Sequence, residues 1–156
     1  VAFEPQRDRE YTKELATAVA EAYRRDTMLK PIHLVSRVLL NLLKEQNPDM
    51  GLYRLLRTGG DFDHIPLAQA YHRLEQDLDA LARARRAGKI WLDPVLAEGD
   101  PVEIMSHALV HLSSYHRKPA VRRRGDKLFH QDRNLLLYYQ NRFEELDLAE
   151  PERGRP

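Results

Sequence analysis

Apolar residues recur at helical spacing through most of the chain. Between positions 8 and 26, Leu15, Ala18, Val19, Ala22 and Tyr23 share one helical face, while Lys13, Glu14, Glu21, Arg24 and Arg25 take the other. Asp26-Thr27 ends that segment. Pro31 suits a first helical position. Behind it Ile32, Val35, Val38, Leu39, Leu42 and Leu43 make a wide apolar face that runs to Asn47-Pro48, which predicts a helix central to the core. Asp49 is expected to cap a short helix through Leu52, Tyr53, Leu55 and Leu56, broken by Gly59-Gly60. A longer helix is predicted from Pro66 to Ala87, with Leu67, Ala70, Tyr71, Leu74, Leu78 and Leu81 inward and Gly88 as the stop.

The pattern then changes. Ile90-Trp91-Leu92 is a short strand candidate, and Asp100-Pro101 starts a helix whose stripe is Val102, Met105, Leu109 and Leu112. Ala120 to Arg124 and Lys127 to His130 read as a hairpin, because Gly125-Asp126 supplies the positive φ of a tight turn. Asp132 is expected to cap a final helix. In that helix Leu135, Leu136, Leu137, Tyr138, Tyr139 and Phe143 occupy most of the circumference, so enclosure on several sides is expected. The fold class is therefore mainly α: about five to six helices with a small two- or three-stranded antiparallel hairpin or sheet near the C-terminus. Residues 1–149 read as a single helical domain and 150–156 as a flexible tail.

Composition narrows the chemistry. A chain of 156 residues can enclose a true core, burying roughly 68–70% of its unfolded surface. With no cysteine, disulfides, thiolate nucleophiles and cysteine-held zinc are excluded. Charged residues make up 31% of the chain yet cancel to a net charge of +1, so no global field of the nucleic-acid-binding kind is expected. No run of about 18 apolar residues exists, since Arg37 and Lys44 interrupt the longest candidates. The start, Val1-Ala2-Phe3-Glu4-Pro5, lacks a charged n-region and a hydrophobic h-region, and reads as an excised domain rather than a signal peptide.

Two clusters carry candidate chemistry. Arg117, Lys118, Arg122, Arg123, Arg124 and Lys127 form a local basic patch opposed only by Asp126. On a hairpin, Arg122 and Arg124 share one face and Arg123 takes the other, so the three cannot grip one anion together. Arg122, Arg123, Arg124 and Lys127 are the candidate contacts to an anionic surface, against the alternative of a solvated hairpin. His107 and His111 have the i, i+4 spacing that zinc sites use, with His116 beyond. No Glu follows His107 and no carboxylate is identifiable behind them, so ordinary surface or hydrogen-bonded histidines are expected and no metal is assigned. No nucleophile elbow, phosphate-binding glycine loop or dinucleotide fingerprint occurs.

Tyr115, His116 and Pro119, then Arg123-Arg124-Gly125-Asp126, then Asp132, Asn134-Leu135-Leu136, Tyr138-Tyr139 and Asn141-Arg142 spell Y-H-x-x-P, R-R-G-D and D-x-N-L-L-x-Y-Y-x-N-R. This pattern resembles the C-terminal segment of the bacterial and mitochondrial-type glycerol-3-phosphate acyltransferases. Thr27 to Val35, Gly88 to Leu92 and Pro94-Val95-Leu96 also look like that family's region after its acyltransferase core. The likeness extends loosely over about residues 11–148. It departs at Glu144-Glu145-Leu146-Asp147-Leu148, where the family commonly has a Gly-Tyr-Gly-like turn.

The resemblance implies a parent enzyme that moves an acyl group from acyl-CoA or acyl-carrier protein to the first hydroxyl of glycerol 3-phosphate. No metal or redox cofactor is implied. This chain would be its non-catalytic C-terminal domain, docked on the upstream acyltransferase domain through Tyr138, Tyr139 and Arg142 and lying peripherally at the cytoplasmic face of an anionic membrane. His72 to Asp77 matches the family's catalytic H-x-x-x-x-D. Residues five apart on a helix, however, diverge by about 140°, so Asp77 could not orient His72 there, and the two are expected to be surface residues. The isolated chain is expected to be inactive. The alternative reading is a winged-helix-like nucleic-acid or protein-interaction module made from a long helix, Ile90 to Leu92 and the basic hairpin, with near-neutral charge arguing against nucleic acid.

Overall fold

The computed structural model describes residues 9–19, 28–114 and 119–146. The second half of the first predicted helix, the signature residues Tyr115 and His116, the basic residues Arg117 and Lys118, and the predicted tail lie outside that set. The described elements in chain order are α1 (residues 9–19), β1 (Met28–Leu29), α2 (Pro31–Gln46), α3 (Leu52–Thr58) and β2 (His64–Pro66). They continue with α4 (Leu67–Arg86), β3 (Trp91–Leu92), α5 (Pro94–Glu98), α6 (Pro101–Ser114), β4 (Val121–Arg124), β5 (Lys127–His130) and α7 (Arg133–Glu145). The mainly α class with a small antiparallel sheet near the C-terminus holds.

The centre is α2, which packs against α7, α6 and α4. Its predicted apolar face was too narrow: Leu34 and Leu40 are fully buried as well, and so is Ser36, while Arg37 and Asn41 are nearly so. A helix touched by three others keeps little solvent-facing surface, confined here to its ends, so the polar residues of its middle are enclosed too. Its start at Pro31 agrees with the expectation. In α6 the inward stripe is rotated from the predicted one. Ile104, Met105, Ala108 and Leu112 are buried, and Val102 is 57% exposed. In α1, Tyr11, Leu15 and Val19 are all exposed, so the periodicity there does not correspond to burial.

Two sheets form, and one strand of each was not legible in the sequence. Trp91–Leu92 pairs in parallel with Met28–Leu29, and the Asp93 amide extends the ladder to the Leu29 carbonyl at 2.9 Å. The hairpin forms as expected, with Gly125 at φ 59°, but gains β2 as a third strand in the order β2-β5-β4. Pro66, expected as the first helical residue, instead closes that strand and precedes α4. The Leu67 amide bonds the Asp126 carbonyl at 2.8 Å, tying the head of α4 to the hairpin turn. Asp49 does not cap α3, whose N-cap is Gly51, and Leu55 is the buried residue of that short helix.

The caps of the later helices follow their sequences. Asp100 Oδ1 accepts from the Val102 amide at 3.0 Å, and Asp132 Oδ1 accepts from Leu135 at 3.3 Å. The short helix α5 was missed. Asp93 caps it by accepting from Val95 at 2.9 Å, and Pro94 opens it. The Ile90 to Leu92 segment and the basic hairpin belong to different sheets.

Candidate functional site

The hairpin's alternation sorts its residues by face. Val121, Leu128 and His130 point inward with Ile65 of β2. Directly opposed residues share a face in an antiparallel ladder, so Arg122, Phe129 and His64 lie outward, as do Arg124, Lys127 and Pro66. The outer face is thus a basic surface around one aromatic ring, with Phe129 5.6 Å from the His64 ring centre. Arg122, Arg124 and Lys127 are exposed. At its margin Asp63 Oδ1 lies 2.9 Å from His64 Nδ1, and that hydrogen bond holds the Asp63 carboxyl below its ordinary range. Arg123 belongs to the other face, where its Nε donates back to the Gly125 carbonyl at 3.0 Å.

At the other end of α2 lies a cavity of about 430 Å³. Its walls come from the head of α2 (Lys30 to His33), from His107 and His111 of α6, from Tyr139 and Arg142 of α7, and from Asp93. A shallower depression beside it shares His33, Tyr139 and Arg142 and adds Tyr138, Asn141 and Glu145. The sequence kept these residues in separate groups. Only the packing of α2 on α6 and α7 brings them together.

The chemistry of this second site is set by hydrogen bonding. The Lys30 amide donates to His33 Nδ1 at 3.0 Å, so the neutral ring carries its proton on Nε2. Burial, then the charges of Arg142 and Lys30, push the His33 pKa down to about 4, so the ring is neutral at pH 7. Arg142 Nη1 donates to Glu145 Oε2 at 3.2 Å, and Asp93 is engaged at the head of α5. Burial and then Tyr138 raise the Tyr139 pKa, so its phenol stays protonated. Tyr138 packs edge-on against Tyr139 at 5.2 Å.

The final helix is enclosed on one side only. Leu136 and Phe143 are buried, with Phe143 under the Arg37 guanidinium at 4.3 Å. Leu135, Leu137 and Tyr139 are half-buried, and Tyr138 is 68% exposed. The expectation of enclosure on several sides is therefore corrected within this domain. Its apolar circumference exceeds what α2 and α3 cover.

The H-x-x-x-x-D pair separates as helical geometry requires. His72 is exposed, with Nε2 3.2 Å from the Gln76 amide nitrogen. Asp77, expected at the surface, is instead 9% exposed and sits 3.8 Å from Arg73 Nε, while Arg73 donates to Glu45 at 2.6 Å. Asp77 pairs with Arg73 within α4, and it is Arg73 that reaches across to Glu45 of α2. Among the described residues no group of three or more His, Asp or Glu could hold a metal ion; His107 instead lies 3.9 Å from Glu103.

No protein-family model, no curated protein and no solved structure matches the chain. Among the described residues, no helix is long and apolar enough to cross a membrane.

Proposed function

We propose that this chain is the non-catalytic C-terminal domain of a glycerol-3-phosphate 1-O-acyltransferase and docks on the catalytic domain through the outer side of α7. The parent enzyme would pass an acyl group from acyl-CoA or acyl-carrier protein to glycerol 3-phosphate, giving lysophosphatidic acid. The observation that carries the docking part is Tyr138, a large aromatic standing 68% exposed next to half-buried Tyr139 on the helix that bears the family-like pattern. Aromatic side chains of this kind are enriched where protein surfaces meet. The separation of His72 from Asp77 supports assigning catalysis to another domain.

The outer face of β4-β5 supports placement at an anionic membrane, since Arg122, Arg124 and Lys127 are exposed cations on the face that carries Phe129, against Asp126 in the turn and Asp63 at the margin. Each such cation contributes about 1 kcal/mol near a charged bilayer. The decisive experiment is co-purification with a separately expressed glycerol-3-phosphate acyltransferase catalytic domain, with acyl transfer assayed alongside. The reading expects a complex that Tyr138→Ala weakens, and no acyl transfer by the chain alone. Acyl transfer by the chain alone, lost in His72→Ala, would overturn it.

A further inference from the structure

The helix α1 buries none of its apolar stripe. Every residue from 9 to 19 is exposed, and Tyr11, Leu15 and Val19 stand 66%, 53% and 61% in solvent at four-residue spacing on one face. A helix this short is marginal in water by itself and gains stability by covering such a stripe. Glu10 and Glu14 run along one side of it, each one residue before an apolar position.

A groove of about 600 Å³ on the same chain has the complementary form. Leu78, Ala82 and Arg86 of α4 line it at the same four-residue spacing, with Arg85 beside them, and Leu92, Leu96 and Ala97 make the facing wall. Leu96 is buried and Leu78 and Leu92 are half-buried, so the floor is apolar. Arg85 and Arg86 are exposed towards the C-terminal end of α4, and Asp79 lies towards the other end. The stripe on α1 and the row on α4 each cover eight residue steps, about 12 Å of helix.

We propose that two copies of this chain exchange α1, each seating its Tyr11-Leu15-Val19 stripe antiparallel along α4 in the groove of the other. Charge selects the direction. Antiparallel seating sets Glu10 and Glu14 beside Arg85 and Arg86, whereas parallel seating would set Glu10 against Asp79. It also places Tyr11 at Arg86, Leu15 over the small Ala82 and Val19 at Leu78, so a large side chain meets a small one at the centre. The occupant is a second copy because stripe and groove are both open in the folded chain, and an exchange covers both with no third component. Reciprocity closes the assembly on a two-fold axis and doubles the covered area, towards the roughly 1,200–2,000 Å² of a stable interface. The inference is independent of the acyltransferase reading, since it uses neither α7 nor the hairpin.

The test is sedimentation equilibrium of the whole 156-residue chain over a concentration series. The expected species has twice the 18.2 kDa chain mass. Leu15→Asp and Ala82→Arg should each weaken pairing at least about tenfold. Both positions are exposed and neither change breaks a helix, so the fold of each variant is kept. Glu14→Arg should weaken pairing about threefold or more, and adding Arg85→Glu should restore it. A mixture of Leu15→Asp chains with Ala82→Arg chains should pair better than either alone, because one intact helix then meets one intact groove.

A monomer at every concentration up to about 1 mM overturns the proposal, including one in which α1 folds onto its own groove. So does a dimer indifferent to Leu15→Asp and Ala82→Arg, or one lost in Tyr138→Ala, which would place the interface on α7.

Discussion

Arg133 Nη1 lies 3.3 Å from His130 Nδ1, a bond that only one tautomer of the histidine can accept. The same tautomer has its proton on Nε2, which lies 3.2 Å from the Phe62 carbonyl and donates to it. Arg133 meanwhile donates from Nε to the Leu56 carbonyl at 2.9 Å and from Nη2 to Arg57 at 3.2 Å. One side chain at the head of α7 therefore closes the C-terminal end of α3 and orients the ring that pins the hairpin. Arg133→Ala should cost about 1.5–3 kcal/mol, measured by urea unfolding, because several charge-assisted bonds to main-chain carbonyls are lost together. Arg133→Lys should recover only part, since lysine lacks the planar fork.

Both His33 and His130 have pKa values lowered in the fold, chiefly by burial, His33 to about 4. Below pH 6.5 the unfolded chain takes up a proton that the folded His33 refuses, so stability is lost as pH falls toward 4 and is complete above 6.5. For His33 the loss approaches roughly 3 kcal/mol at its limit. His33→Gln, which keeps an acceptor for the Lys30 amide, should flatten part of the acid limb of stability against pH. An unchanged profile would show that the ring is not held neutral.

His72→Ala should leave stability within about 0.5 kcal/mol of the parent, because the ring is exposed and bonded only to Gln76. Asp77→Ala should cost about 1.5–3 kcal/mol, because Arg73 loses its buried partner. Thermal unfolding of the two variants separates them. The reverse ranking would contradict the separation of this pair.

Gly60 has φ 78°, and a Cβ there would collide with the Asn47 amide group. That group is buried, donating to the Leu43 carbonyl at 2.9 Å and accepting from Asp61 at 2.9 Å. Gly60→Ala should therefore lose about 2–4 kcal/mol, combining backbone strain with a displaced amide. Gly125→Ala, which meets open space at φ 59°, should lose about 1 kcal/mol. Chemical denaturation of both variants checks the order.

Phe143→Ala should cost about 3–5 kcal/mol as a buried aromatic, and a double-mutant cycle with Arg37→Met should show coupling of about 1–2 kcal/mol. Tyr138→Ala should leave the melting temperature nearly unchanged, since the ring is mostly in solvent. A large drop would mean that Tyr138 belongs to this domain's own core.

Much of the architecture was legible because local chemistry writes it. Pro31, Asp100, Asp132 and Gly125 each act within a few residues of their own position, so the helix starts and the hairpin turn followed from sequence. What needs a distant partner did not. Neither Met28–Leu29 nor His64–Pro66 contains enough residues to show a period, and each becomes a strand only by pairing with a segment more than sixty residues later. The rotation of the α6 stripe was likewise decided by packing, since Val102 and Ile104 are both apolar but only Ile104 is buried.

The basic hairpin and the aromatic, arginine-bearing helix were determined by sequence alone, since a two-residue repeat and a helical repeat suffice to distribute their side chains. The cavity was decided only by tertiary structure. Lys30, His33, His107, His111 and Arg142 come from three helices, and no spacing relates them until the packing of α2 against α6 and α7 brings them to one cavity. Hydrophobic burial has no direction along the chain, whereas a cavity lined from three helices needs positions in space.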